Sequence, residues 1–137
     1  MPTMKEFTVN MEDRPGTLGK LCRALADRGV NIIAFQSNTG EKGKSTIRFV
    51  TDNPAATKAV LQSEHATNTE TEVAEAKLPN RSGALAGVAA KLGEAKININ
   101  YAYAGIEPGT NTPVVFFGVP DAGQAAKILE KVSAAAA

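Results

Sequence analysis

Two short turns carry the residues best suited to chemistry in this 137-residue chain, Asp13-Arg14-Pro15-Gly16 and Asn80-Arg81-Ser82-Gly83. Each leads into a segment with the apolar spacing of a helix, so each glycine stands where a helix begins. The first N–H groups of a helix have no partner inside it, and the positive end of its dipole lies there. Such a turn can therefore take a carboxylate. Glycine lets a ligand come close to the backbone and allows φ values closed to other residues. Asp13 and Asn80 put an acceptor at the head of each turn, while Asn31 and Asn98 offer carboxamides farther along. A plainer reading stands beside this one. Asp or Asn before a helix is often an N-cap worth about 1 kcal/mol, Asn31 and Asn98 can bond locally in turns, and Arg14 and Arg81 read equally as solvated surface residues.

Other reactive side chains offer less. Cys22 is the single cysteine, so neither an intramolecular disulfide nor a thiolate cluster is available. It falls on an apolar helix face, where it reads as a small buried hydrophobe. His65 has no nucleophile or metal partner near it in sequence and reads as a surface residue. No nucleophile–base pair and no phosphate loop is present, which predicts no catalytic residue, no metal and no cofactor. Lys and Arg number 15 against 14 Asp and Glu, a net charge of +1. That balance supplies no field for nucleic acid or an anionic membrane. No apolar run approaches the roughly 20 residues that span a bilayer, and residues 1–6 are polar, without a leader's apolar core. The expected setting is the cytoplasm.

The elements that must position the turns emerge from a repeat. Shifting the chain by 67 residues places Arg14 on Arg81, Gly16 on Gly83, Leu18 on Leu85, Leu25 on Leu92, Asn31 on Asn98, Ile32 on Ile99 and Phe49 on Phe116, without a gap. Identities at turn, helix and strand positions alike point to duplication. Each copy opens with a strand, 5–11 or 72–78. After the turn, Leu18, Leu21, Cys22 and Leu25, or Leu85, Val88, Ala89 and Leu92, fall at i, i+3, i+4 and i+7, one face of a helix. Gly29 stops the first of these helices. Lys96 occupies that place in the second copy, which predicts a different end near Gly93. Second strands are expected over 31–37 and 98–104, third strands over 45–51 and 114–119, and second helices over 54–63 and 122–132. Pro54 suits a first helical turn. Residues 67–71 form a short fourth strand fused to the strand that follows, and the second copy's own fourth strand is short or missing. Tyr101 and Tyr103 alternate, so they share one face. Residues 32–35 are apolar on both faces, which predicts a sheet covered by helices on one side and a second subunit on the other, hence a homodimer.

Asp13-Arg14-Pro15-Gly16-Thr17-Leu18 with Arg28-Gly29-Val30-Asn31-Ile32, and Asn80-Arg81-Ser82-Gly83-Ala84-Leu85 with Lys96-Ile97-Asn98-Ile99, resemble the ACT domain twice over nearly the whole chain. The resemblance implies an α+β, ferredoxin-like βαββαβ fold in two tandem copies, residues 1–71 and 72–137, sharing or pairing antiparallel sheets. It also implies a regulatory module that binds an amino acid or similar small molecule without chemistry of its own. The implied contacts are Asp13 to Leu18, Asn31 and Ile32 in copy one, and Asn80 to Leu85, Asn98 and Ile99 in copy two. Met11 and Leu78 would line the same groove. Asp13 departs from the carboxamide that Asn80 retains, and favours a ligand ammonium. The alternative is a partner-binding regulatory subunit of a metabolic enzyme, with a degenerate ligand site.

Overall fold

The computed structural model describes residues 3–136, with side chains as far as Glu130. It divides into two compact units, one of Lys5–Thr71 and one of Glu72–Ala137 with Met1–Met4. In chain order the elements are β1 (Thr3–Glu12), α1 (Thr17–Asp27), β2 (Ile32–Thr39), β3 (Lys44–Thr51), α2 (Pro54–Ser63), β4 (Asn68–Lys77), α3 (Ala84–Glu94), β5 (Tyr101–Ile106), β6 (Pro113–Gly118) and α4 (Ala122–Ala136). The fold is α+β and ferredoxin-like.

In the first unit β3 lies between β1 and β2, antiparallel to both, with Phe7 and Phe35 each opposite Phe49. Alternation sends Phe7, Val9, Ile47 and Phe49 to one face. They meet Leu21 and Leu25 of α1 and Val60 and Leu61 of α2 in one buried cluster. The Phe7 and Phe49 rings stack at 5.9 Å. The reverse face is buried as well, at Glu6, Ala34 and Val50. Phe35 remains 54% exposed. β4 is unbroken from Asn68 to Lys77, and its opening residues serve the first unit, where Glu70 pairs with Lys5 and Lys58.

In the second unit β6 lies between β4 and β5, with Ala74 and Ala102 each opposite Phe117. Ala74, Ala76, Val115 and Phe117 meet Val88 and Leu92 of α3 and Ala125 and Leu129 of α4. Tyr101 and Tyr103 do share a face, with parallel rings 6.4 Å apart, and Tyr103 also contacts Phe116 at 6.0 Å. The closing alanines extend α4 to Ala136.

Helices α1 and α3 end alike, which corrects the expected difference. Gly29 has φ +72° and Lys96 φ +61°. After α1 the Val30 N–H donates to Leu25 O at 3.0 Å, and after α3 the Ile97 N–H donates to Leu92 O at 2.9 Å. These bonds recover carbonyls that a helix end leaves unpaired. They hold Lys96 in a conformation that glycine would adopt without strain. His65, exposed after α2, does the same with φ +53°.

Candidate functional site

The first turn is built by the backbone. The Asp13 N–H donates to Gly43 O at 2.8 Å, tying the end of β1 to the loop before β3. Thr17 Oγ1 lies 3.0 Å from Glu12 O and 3.1 Å from Arg14 O. The exposed Arg14 Nε meets Glu12 Oε2 at 2.7 Å. Gly16, at φ +94°, is the N-cap of α1, and no side chain caps the helix. In the second turn Gly83, at φ +87°, caps α3, again without side-chain help. Ala84 has no hydroxyl to repeat the Thr17 bonds. A Cβ at either glycine would meet nothing within 4 Å. Backbone conformation therefore requires glycine here, and the space above it is open.

This geometry removes the capping role of Asp13 and Asn80. The N-cap position falls three residues after each of them. Both are exposed, and neither side chain has a hydrogen bond or ion pair among the described residues. The Thr17 N–H donates back to Arg14 O and the Ala84 N–H to Arg81 O, while the next two N–H groups of α1 and α3, which an Asp or Ser cap would ordinarily occupy, stay available. Pro15, Arg81 and Ser82 are exposed. Leu85 is 53% exposed beside Gly83, whereas its counterpart Leu18 lies partly against the core.

Leu78 turns into the core, while Met11 is half-buried. Leu78 is 8% exposed and belongs to the second unit's core, because alternation from Ala74 and Ala76 points it inward. Met11 lies partly against the core of the first unit, as does Ile32, and Ile99 does the same in the second.

Nor does either unit bring its turn and its asparagine together. Asp13 follows Glu12, which is opposite Lys44 at the start of β3. Asn31 sits beside Asp52, just past the end of β3: its N–H donates to Asp52 Oδ1 at 2.9 Å, and the Asp52 N–H donates back to Asn31 O at 3.1 Å. The eight residues of β3 therefore separate the two by about 23 Å. In the second unit the Leu78 N–H donates to Pro113 O, at the start of β6, while the Asn100 N–H donates to Gly118 O at its end. Asn98 lies three residues before β5 rather than opening it. Its Nδ2 donates to Asn100 Oδ1 at 3.0 Å.

Asp52 and Asn100 were not among the residues singled out in the sequence. Asn100 was visible in the doublet Asn98-Ile99-Asn100, but Asp52 carried no signal beyond its place after a strand.

Other features do not make a reaction centre. Burial pushes the Cys22 thiol up from its ordinary value, the opposite of an activated thiolate. Lys77 is held protonated by its hydrogen bond to Glu107. Burial raises the Glu75 carboxyl, with Lys77 opposing the shift and Glu107 adding to it. Among the described residues no group of three His, Cys, Asp or Glu could hold a metal. No helix among them is long and apolar enough to cross a membrane. An open groove of about 200 Å³, lined by Ala24, Asp27, Arg28, Val60, Ser63 and Glu64, lies at the C-terminal ends of α1 and α2, away from the Gly16 turn.

With the glycine-capped turn, helix and paired strands in place, the first unit can be set against known families. Residues 6–66 match the ACT domain. The match to the ACT domain covers less than half of the chain and lies inside the first unit. Three solved structures share the fold over most of the chain. One is a protein from Bacteroides thetaiotaomicron, at TM-score 0.82 and 22% identity, covering 95% of this chain and 88% of that one. The others are regulatory subunits of aspartate kinase. That of Thermus thermophilus, in a ligand-free form, has TM-score 0.62 and 15% identity, covering 94% and 91%. That of Thermus flavus has TM-score 0.56 and 14% identity, covering 94% and 91%. No curated protein matches the sequence.

Proposed function

We propose that this chain is a regulatory amino-acid sensor made of two ACT-like repeats, residues 1–71 and 72–137, with no catalytic activity of its own. One observation carries the reading: two helices begin at left-handed glycines with no side-chain cap, beside unpartnered Asp13 and Asn80. Free N–H groups at a helix start suit the ligand carboxylate, and the Asp13 and Asn80 oxygens suit its ammonium. The ACT match over residues 6–66 and the fold shared with two aspartate kinase regulatory subunits support it. Because turn and asparagine lie at opposite ends of each sheet, no single unit supplies both to one ligand, and the reading adopted is a site shared between two copies of the chain, in a cytoplasmic homodimer.

Isothermal titration with each of the twenty amino acids tests binding, and silence from all of them would overturn it. Mixing the double variants D13A/N80A and N31A/N98A tests the shared site. Each should fail alone, and random pairing should restore about a quarter of the wild-type sites. No recovery on mixing would refute sharing between copies. Asp13, a carboxylate where Asn80 is neutral, favours a second reading of the first unit: a surface for a metabolic enzyme, with its own ligand site degenerate. Capture of a biosynthetic enzyme without any amino-acid effect would support that reading instead.

A further inference from the structure

The two asparagines that the 67-residue shift superposes are held in different ways. In the first unit only the backbone of Asn31 is fixed, by the reciprocal bonds with Asp52. Its side chain is exposed and has no hydrogen bond among the described residues. In the second unit Val119 stands where Asp52 would be, so that latch is gone. The side chain is fixed instead, by the bond from Asn98 Nδ2 to Asn100 Oδ1 at 3.0 Å. The first unit cannot copy this arrangement, because Ile33 occupies the place of Asn100.

Asn100 is itself anchored. Its N–H donates to Gly118 O at 2.8 Å, and the next residue, Tyr101, is opposite Gly118 in the ladder. The Tyr101 ring lies over Gly118 so closely that a Cβ there would collide with three of its ring carbons. The ring is also stacked on Tyr103, which is buried and contacts Phe116. In the first unit the corresponding residues are Ala34 and Thr51, and nothing comparable can form. A large ring seated on a glycine thus clamps residues 100 and 101 to β6, and the clamp carries the acceptor that orients Asn98.

We propose that Asn100 and Tyr101, the latter seated on Gly118, are positioning residues that preset the Asn98 carboxamide and make the second unit the stronger of two unequal amino-acid sites. With Nδ2 committed to Asn100, the Asn98 Oδ1 faces a ligand as a fixed acceptor, suited to an α-ammonium. Asn31 must be ordered at the moment of binding, and that entropy is subtracted from its affinity. The ranking of sites rests on the amino-acid reading above. The preset carboxamide does not.

Two measurements separate these claims. NMR of the Asn98 side-chain amide, read without any ligand, should show a fixed carboxamide in the wild type. It should turn mobile in N100A and stay fixed in N100D, since Asp keeps the accepting oxygen. G118A should shift the Tyr101 ring signals and loosen Asn98 as well. A wild-type Asn98 amide as mobile as that of N100A would overturn the positioning role, whatever binds. Titration with the amino acid giving the largest heat of the twenty then ranks the sites. N100A should weaken the tighter site about three- to tenfold, N100D should restore it, and N31A should leave it unchanged. Loss of the tighter site in N31A would reverse the ranking. If none of the twenty binds, the amino-acid reading and the ranking fall together, and the NMR result still decides the preset carboxamide.

Discussion

Replacing Lys96 by glycine should stabilise the protein, and the reciprocal change at Gly29 should destabilise it. Lys96 follows α3 with φ +61°, a left-handed conformation that costs an L residue about 1–2 kcal/mol. Two backbone bonds impose it, Lys96 N–H to Gly93 O and Ile97 N–H to Leu92 O, both 2.9 Å. Glycine removes the strain but adds about 0.5–1 kcal/mol of chain entropy to the unfolded state. The net gain for Lys96→Gly is about 0.5–1 kcal/mol, or about 2–4 °C in Tm for a chain of this length. Gly29 carries the same two-bond ending at φ +72°, and a Cβ there meets nothing within 4 Å. Gly29→Lys should therefore lose a similar amount through backbone strain alone, without collision. Urea unfolding followed by far-UV circular dichroism measures both, read at constant m-value so that the denatured state is comparable. A Lys96→Gly variant no more stable than wild type, or a Gly29→Lys variant of undiminished stability, would refute the reasoning.

Further outcomes follow from the turns, the cores and the buried carboxylate. Asp13→Ala and Asn80→Ala should change stability by less than about 0.5 kcal/mol, as surface changes do, while weakening amino-acid binding in titration. A loss near 1 kcal/mol in thermal unfolding would restore the capping role. Leu25→Ala and Leu92→Ala, both at fully buried positions, should each cost about 2–5 kcal/mol in urea unfolding. Glu75→Gln should raise Tm at pH 7–8. Burial raises the folded-state pKa of Glu75, so its ionised form opposes folding above that pKa, and the penalty is relieved as pH falls through it. The variant's advantage should fade on acidification into the carboxylate range, and an advantage independent of pH would contradict the assignment.

Much of this molecule is legible because its periodicities are strong. Period-2 alternation in Phe7-Thr8-Val9 and helical spacing in Leu18, Leu21 and Leu25 answer to one buried face each, and glycines mark the turns. The second helix of the first unit begins where expected because Asn53 accepts from Ala56 N at 3.0 Å and Pro54 opens it. What escaped depends on partners distant in sequence. Tyr101 is where the ladder with Gly118 begins, so β5 starts later than the apolar pattern around Ile99 suggests. Lys96 reads as a helix former, and only the backbone bonds at the end of α3 reveal its left-handed turn. Asp13 resembles a cap by residue type, but Gly16 takes the N-cap position three residues later. Leu78 could have been placed in the core from Ala74 and Ala76 by alternation alone.

The separation of turn from asparagine bears on how such a molecule could signal. A free amino acid is about the size of one residue, roughly 3.8 Å along the chain, while β3 holds Asp13 and Asn31 about 23 Å apart. No such ligand touches both within one unit. If both contribute, the ligand joins surfaces that the fold itself keeps apart, and binding becomes linked to association. At a free concentration 100 times its dissociation constant, one bound ligand stabilises the state that holds it by about 2.7 kcal/mol. That exceeds the strain at Lys96 and the worth of a helix cap, so it is large enough to select between arrangements of copies. A signal arises only because the ligand binds those arrangements unequally. In a site shared between copies as proposed above, the sheet geometry would provide that inequality, since an unpaired copy would offer only half of each site.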